Sequence, residues 1–250
     1  MNDAARQVAR GDIKGALSQY ALADRLHLAP DQRAATLELI KHWERLPKRE
    51  QNGKTLMVTG SKRDARVLNE LAHQSRLRSG ELGRLMWQRI DGCWVRNGDR
   101  LLFRIGSKAL GFRSGDLGTI ERIGLSGITV RLDRPTKLLA WNRTTRVHVP
   151  KSLYRGLSMG YAVTATDAQG MTSDRVLALP RAGGDDAQGI FIQLSAGRNE
   201  TRVFTTPRTV GEDVESIERA ARLRPQTELQ TVPEIHADEP QQHQRKGLRL

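Results

Sequence analysis

The sequence predicts an α/β fold. Two compact apolar runs carry that expectation: Thr55-Leu56-Met57-Val58-Thr59, which ends in Gly60-Ser61, and Arg175-Val176-Leu177-Ala178-Leu179. Each has the length and aliphatic make-up of a parallel strand buried on both faces. Between them, from Gln88 to Val149, short β-type runs alternate with turn signals about every 8–12 residues. That is the texture of a small barrel inserted into an α/β unit.

The elements follow in order. Asp12 is placed to cap a helix over 12–23, with Ile13, Ala16, Leu17 and Tyr20 on one face. Leu26-His27-Leu28 forms a short strand. A second helix starts at Pro30-Asp31, a proline in the first turn followed by an acid suited to the helix dipole, and carries Leu37, Ile40, Trp43 and Leu46 at helical spacing. Lys48 to Lys54 reads as a charged turn. The run 55–59 delivers a helix capped by Ser61, with Ala65, Leu68, Leu71 and Ala72 toward the sheet, ending near Leu77. In the insertion, strands are expected over 93–95, 100–104, 118–123 and 128–132, with two more over 137–141 and 146–149. Asn97-Gly98 reads as a hairpin turn. After Pro150, Met159 to Ala168 is expected to be helical, Asp185 to Ser195 a second helix and Arg202-Val203-Phe204 a last strand. Beyond Pro207 only Val214 to Leu223 is amphipathic, within an otherwise disordered tail. The expected organisation is a helical lead-in over 1–50, an α/β unit split into 51–88 and 150–207, the insertion over 89–149 and a tail over 208–250.

Composition narrows the class. The chain has 250 residues, 41 Lys plus Arg against 28 Asp plus Glu, and a formal charge of +13. Its hydrophobic fraction of 38% is low for a compact globule, so part of the chain is expected to lie outside any core. No apolar run approaches the ~20 residues that span a bilayer, which excludes a transmembrane helix. The start, Met1-Asn2-Asp3-Ala4, lacks the charged-then-apolar pattern of a signal peptide, and a cytoplasmic location is expected. One cysteine, Cys93, excludes an internal disulfide and a multi-cysteine zinc site. The cations are 32 arginines and 9 lysines. Guanidinium forks grip phosphate in bidentate fashion, which suggests a nucleic-acid partner. Arginine-favouring codons would enrich any solvated surface equally, so composition leaves both readings open.

Few residues carry chemistry by spacing alone. Gly53-Lys54-Thr55 imitates the end of a Walker A loop, but the pattern needs a glycine where Lys48 stands, and a helix, not a strand, after the loop. The histidines at 27, 42, 73, 148, 236 and 243 show no ligand spacing, so no metal site is expected. His42 and His73 read as helix-surface residues and His148 as partly buried in a strand; Tyr20, Tyr154 and Tyr161 read as packing residues. Two segments say more. Residues 160–173, Gly-Tyr-Ala-Val-Thr-Ala-Thr-Asp-Ala-Gln-Gly-Met-Thr-Ser, put small and polar side chains where a helix leaves a sheet. Residues 191–204, Phe-Ile-Gln-Leu-Ser-Ala-Gly-Arg-Asn-Glu-Thr-Arg-Val-Phe, place Arg198 between a helix and a strand.

In this order the segments resemble the second motor domain of superfamily 1 DNA helicases of the RecD-like type, and most closely the helicase half of conjugative relaxases of the TraA, TrwC and TraI kind. Gly160-Tyr161-Ala162-Val163-Thr164, then Gln169-Gly170 and Thr172, is similar to motif V, a Gly-Tyr-Ala-x-Thr helix leading into His-Lys-x-Gln-Gly-x-Thr. Phe191 to Ser195, Arg198 and Glu200-Thr201-Arg202 resemble motif VI, Tyr-Val-x-x-Ser-Arg-x-Arg. Thr55 to Asn69 resembles the motif IV strand and helix, with its Leu68-Asn69 pair. Asn97-Gly98-Asp99-Arg100 and Gly115-Asp116-Leu117-Gly118-Thr119 are similar to the barrel inserted in that domain. The likeness covers about residues 5–206.

The resemblance implies a RecA-like motor domain interrupted by an SH3-like barrel, as part of an ATP-dependent DNA helicase in plasmid mobilisation. It implies that Thr59, Ser61 and Lys62 meet single-stranded DNA at a helix N-terminus, although a turn plus a cap explains Thr59 and Ser61 as well. Thr164, Thr166, Gln169, Gly170 and Thr172 would line the motif V contact, and Arg198 would face nucleotide as the catalytic arginine. Two departures stand out. Thr166-Asp167 replaces His-Lys, which brings like charge to phosphate, and Ala196 replaces the first motif VI arginine. Such an arginine finger is worth roughly 10³–10⁵ in rate. With no Walker A loop, the chain is expected to bind ATP and magnesium only when a first motor domain completes the site. The expected partners are single-stranded DNA and a separate chain carrying that domain or the relaxase, with no membrane. The competing class is a non-catalytic nucleic-acid-binding protein or a degenerate remnant.

Overall fold

The computed structural model describes residues 7, 12–51, 53–139, 142–181 and 185–210. Five strands form a wholly parallel sheet in the order β1 (Leu26–Leu28), β12 (Gly197–Thr205), β11 (Ser173–Leu179), β2 (Thr55–Thr59) and β10 (Ala162–Thr164). Helices cover both faces. Leu56, Val58, Val176 and Ala178 pack with Leu17 and Tyr20 of α1 (Ile13–Leu22) and Leu194 of α6 (Ala187–Ser195). Met57, Leu177 and Leu179 point the other way, onto Leu39 and Trp43 of α2 (Gln32–Arg45) and Leu68 and Ala72 of α4 (Lys62–Arg78). This period-two division explains why both faces of β2 are apolar. Four expected helices are present and capped by their own side chains: Asp12 accepts from the Gly15 N–H, Asp31 from Ala34, Ser61 from Asp64 and Asp186 from Gly189. The charged turn after Lys48 is one helical turn, α3 (Lys48–Gln51).

The insertion is an antiparallel sheet in the order β8 (Asn142–Pro150), β7 (Gly127–Leu139), β6 (Leu117–Ile123), β5 (Arg100–Phe103) and β9 (Leu157–Met159). A separate core of Leu101, Phe103, Ile120, Val130 and Val149 fills it. A two-stranded hairpin, β3 (Trp87–Ile90) and β4 (Cys93–Arg96), adds Ile90 and Val95 to that core. Its turn is Asp91-Gly92, with φ of 48° and 78°, the left-handed pair a two-residue hairpin needs. Asn97-Gly98 is therefore not the hairpin turn the sequence suggested. It links β4 to β5, strands that do not pair, and the Gly98 N–H donates to the Ile120 carbonyl at 2.7 Å. The strand expected over 137–141 continues β7 to Leu139; Trp141, the 214–223 stretch and the tail beyond 210 lie outside the described residues.

The expected helix over 159–168 is overturned. Residues 157–159 pair with β5, residues 162–164 pair with β2, and only α5 (Ala165–Ala168) is helical. Gly160 lies between the two sheets, where a Cβ would come within 2.6 Å of the Leu101 carbonyl carbon. Pairing partners on both sides outweigh the helix propensity of an alanine-rich stretch.

Polar side chains lock this crossing. Asn69 of α4 accepts from the N–H groups of Tyr161 and Ala162, both at 2.9 Å, and donates to the Ala162 carbonyl at 2.8 Å. Asp99, fully buried, accepts from the Tyr161 hydroxyl at 2.8 Å, from His73 Nδ1 at 2.9 Å and from the Arg96 N–H at 2.6 Å. Arg76 donates to the Tyr161 hydroxyl at 3.1 Å and to the Gly98 carbonyl at 2.8 Å. Burial, then the neighbouring Asp99 charge, pushes the Tyr161 phenol far above its ordinary range, so it stays a donor. His73 is thus buried rather than on the helix surface, and His148 is exposed rather than partly buried.

Two outcomes follow. Asn69→Ala leaves two buried N–H groups and a carbonyl unpaired, and should lower unfolding free energy by about 3 kcal/mol in urea denaturation. His42, beside Phe204 and His27, has its pKa lowered from 6.5 to about 4 by burial and then by the Arg202 and His27 charges. Its folded pKa lies below its unfolded one, so its contribution holds above pH 6.5 and is lost as pH falls toward 4. In denaturation at pH 7 and pH 4.5, His42→Leu should lose less stability on acidification than the unsubstituted protein.

Candidate nucleic-acid interface

Because all five strands of the first sheet are parallel, the sheet has a carboxyl edge and an amino edge. At about 3.3 Å per residue, β2 separates them by about 13 Å. The residues singled out in the sequence divide between these edges.

At the carboxyl edge lie Thr59, Ser61, Lys62, Thr164 and Thr166. Thr59 is fully buried and its hydroxyl donates to the Leu179 carbonyl at 3.1 Å. The Ser61 hydroxyl accepts from the Asp64 N–H at 3.0 Å. The turn-and-cap alternative therefore describes both, and their hydroxyls face the protein rather than a phosphate. The α4 N-terminus also meets acids: the Asp185 carboxylate sits against Gly60, and Arg181 pairs with Asp64 at 3.5 Å. Burial pushes the Asp185 carboxyl up, against hydrogen bonds from Gln193 and the Arg181 N–H. Thr164 is buried, and its hydroxyl donates to Asp167 Oδ2 at 2.8 Å while accepting from the Asp167 N–H at 3.1 Å. Thr164 thus caps α5, and the Asp167 carboxylate accepts from the capping hydroxyl. Thr166 is exposed.

Lys62 differs. It is exposed and opens a cleft between α4, β10 and the insertion. Arg66, one turn along the same helix face, and Arg104 of the insertion line the cleft with it, against the acids Asp91 and Asp167. Arg104 donates to Ser158 Oγ at 3.2 Å. Arg66 was readable as the i+4 neighbour of Lys62. Arg104 was not, since only the β5–β9 pairing brings it there.

The amino edge gathers Gln169, Gly170, Thr172 and Arg198, with Arg113 and Asp174 in the same depression. Arg198 is largely exposed, donates to Thr172 Oγ1 at 2.9 Å and approaches Asp174 at 4.0 Å. Ala196, at the position of the first motif VI arginine, is buried in the core under α6. The segment that resembles motif V is thereby split: Thr164 belongs to one edge and Gln169-Gly170-Met171-Thr172 to the other, joined by α5 crossing over β2.

No family model matches the chain. The chain is similar to the conjugal transfer protein TraA of Agrobacterium fabrum, 29% identical over 182 residues, and to a probable conjugal transfer protein TraA of Sinorhizobium fredii, 26% identical over 181 residues. Each match covers 72% of this chain and 16% of the relative, so the chain spans about a sixth of those proteins' length. Among solved structures, a Bacteroides Pif1 helicase in complex with ADP-AlF3 and single-stranded DNA aligns at 17% identity and a TM-score of 0.43, covering 74% of this chain and 49% of that one. The Pif1 helicase of Candida albicans aligns at 10% identity and a TM-score of 0.39, covering 76% and 58%. No described helix is long and apolar enough to cross a membrane.

The Gly60–Asp185 contact yields a test. A methyl at Gly60 would overlap the Asp185 carboxylate. Gly60→Ala should destabilise the protein by about 1–3 kcal/mol, the cost of overpacking. Adding Asp185→Ala should recover part of that loss, and strict additivity in thermal melts would show that the contact is not the cause.

Proposed function

We propose that this chain acts as the second-motor-domain portion of a conjugative relaxase-type helicase, holding single-stranded DNA during plasmid mobilisation. The observation that carries the reading is the likeness to TraA over 72% of the chain. The order of the motif IV, V and VI segments on β2, β10 and β12 supports it, as does the excess of cations. In this reading the parallel sheet is the RecA-like motor half and the antiparallel sheet its SH3-like inserted barrel. DNA runs through the carboxyl-edge cleft, with Lys62, Arg66 and Arg104 on its phosphates and Thr166 at its rim. Arg198 forms the amino-edge face that meets nucleotide; Gln169, Gly170 and Thr172, expected from the sequence to contact DNA, lie beside it there rather than in the cleft. ATP and magnesium bind there only when a first motor domain, from a partner chain or a relaxase, closes the site. The place of action is the cytoplasm.

A second reading, a DNA-holding protein without motor chemistry, is favoured by one feature. Ala196 is buried where a finger would project, and Arg198 is tied to Thr172.

The deciding measurement is a titration of the protein with fluorescent single-stranded DNA at two salt concentrations, with and without ATP. The proposal expects binding that weakens steeply with salt, as counterion release requires. The chain alone should be indifferent to ATP under both readings, an ATP-dependent shift overturns the need for a first motor domain, and no binding at low salt overturns both readings. Asp167→Asn keeps an acceptor for Thr164 while removing a charge from the cleft. It should tighten binding about two- to fivefold at low salt, with the gain shrinking as salt rises.

A further inference from the structure

The hairpin β3–β4 has an outer face that the sheet arrangement leaves uncovered. In its ladder Trp87 stands opposite Arg96 and Arg89 opposite Trp94, four side chains on one surface, while Ile90 and Val95 turn into the core. Trp87 is 52% exposed and Trp94 56% exposed, in a chain with four tryptophans. Large indoles are seldom left half in water unless the surface has a partner.

The arginines specify the chemistry of that partner. The Arg96 guanidinium lies over the Trp87 ring, 5.4 Å from its centroid, and is held by hydrogen bonds to the carbonyls of Gly83 at 3.3 Å and Arg84 at 3.2 Å. Arg89 donates to the Gly92 carbonyl at 3.4 Å. Neither arginine is ion-paired with a carboxylate among the described residues. The one acid in 87–96, Asp91, stands at the turn. The two indoles fall on one diagonal of the ladder and the two guanidiniums on the other, about 7–8 Å apart. Alternating aromatic faces and unpaired cations at that spacing offer a stack for bases and a charge for each intervening phosphate. An apolar protein partner would not need the cations; an acidic peptide would not need two flat indoles.

We infer that the outer face of this hairpin is a stacking platform for single-stranded nucleic acid, with Trp87 and Trp94 taking bases and Arg89 and Arg96 taking backbone phosphates. The hairpin's turn and inner face border the Lys62 cleft through Asp91 and Cys93, and the platform is the hairpin's other face. The inference rests on the DNA-binding reading and adds a second contact to it.

The test uses the full chain, short oligo(dT) and a matched oligonucleotide of abasic sites, read by anisotropy and by tryptophan emission. Oligo(dT) should quench emission and bind more tightly than the abasic strand. Trp87→Leu and Trp94→Leu should each weaken oligo(dT) binding roughly tenfold and together remove the quench, with abasic binding unchanged. Trp87→Phe and Trp94→Phe should restore most of the affinity, which a merely structural role would not predict. If the unsubstituted protein binds oligo(dT) but the leucine variants bind it equally well, or it binds the abasic strand as tightly, the platform is overturned and the cleft reading stands. If it binds neither, both fall.

Discussion

One stretch of chain, Leu157 to Thr164, belongs to two sheets with opposite logic: its first residues are an antiparallel edge and its last a parallel edge. Gly160 permits the change because Leu101 leaves no room for a side chain there. What fixes the angle is the set of hydrogen bonds that α4 directs at the crossing. Asn69 satisfies both strand N–H groups and the carbonyl, and Asp99 draws His73, Tyr161 and the Arg96 N–H onto one buried carboxylate. A buried carboxylate is tolerated only when so fully bonded, and removing any donor leaves the charge uncompensated. The two halves are therefore held by this polar weld together with apolar packing of Leu102 and Leu117 of the insertion against the parallel-sheet core.

The weld also sets what the cleft can do. Lys62 and Arg66 come from α4, Arg104 from the insertion and Asp167 from the crossover, so the cleft exists only where the halves meet. Its cations act at the carboxyl edge, while Arg198 acts at the other end of the strands. The two sites share β2 and α5 but no side chain. On the proposed function, strand holding and nucleotide sensing would be joined through one short crossover while using separate side chains.

Much of the parallel half was legible in the sequence. The runs 55–59 and 175–179 announced buried strands, and Asp12, Asp31 and Ser61 announced their helices, because caps and periodicity are local signals. The hairpin turn was misplaced because Asn97-Gly98 and Asp91-Gly92 carry the same signature, and only the pairing of Ile90 with Cys93 distinguishes them. The 160–168 segment was misread because its strands are defined by partners more than 50 residues away, Leu101 and Met57 among them. His73 looked like a surface residue for the same reason: its partner, Asp99, lies in the insertion. In the candidate site, residue types were readable but orientation was not, so the sequence left Thr59 and Ser61 open between phosphate contact and a turn plus cap, and the fold turns them to carbonyl and amide.

The two departures from the helicase pattern acquire physical meaning in this setting. Asp167 is not a bare loss of a cation, since its carboxylate accepts from the Thr164 hydroxyl that caps α5 and so holds the crossover in shape. Ala196 lies in the core between α6 and β12, where a guanidinium could not be buried without a partner. Each of the two residues makes its contacts within the fold, one at each edge. Neither change alters Lys62, Arg66 or Arg104. On the proposed function, such changes would leave the cations of the cleft in place for gripping a strand while weakening the edge assigned to nucleotide.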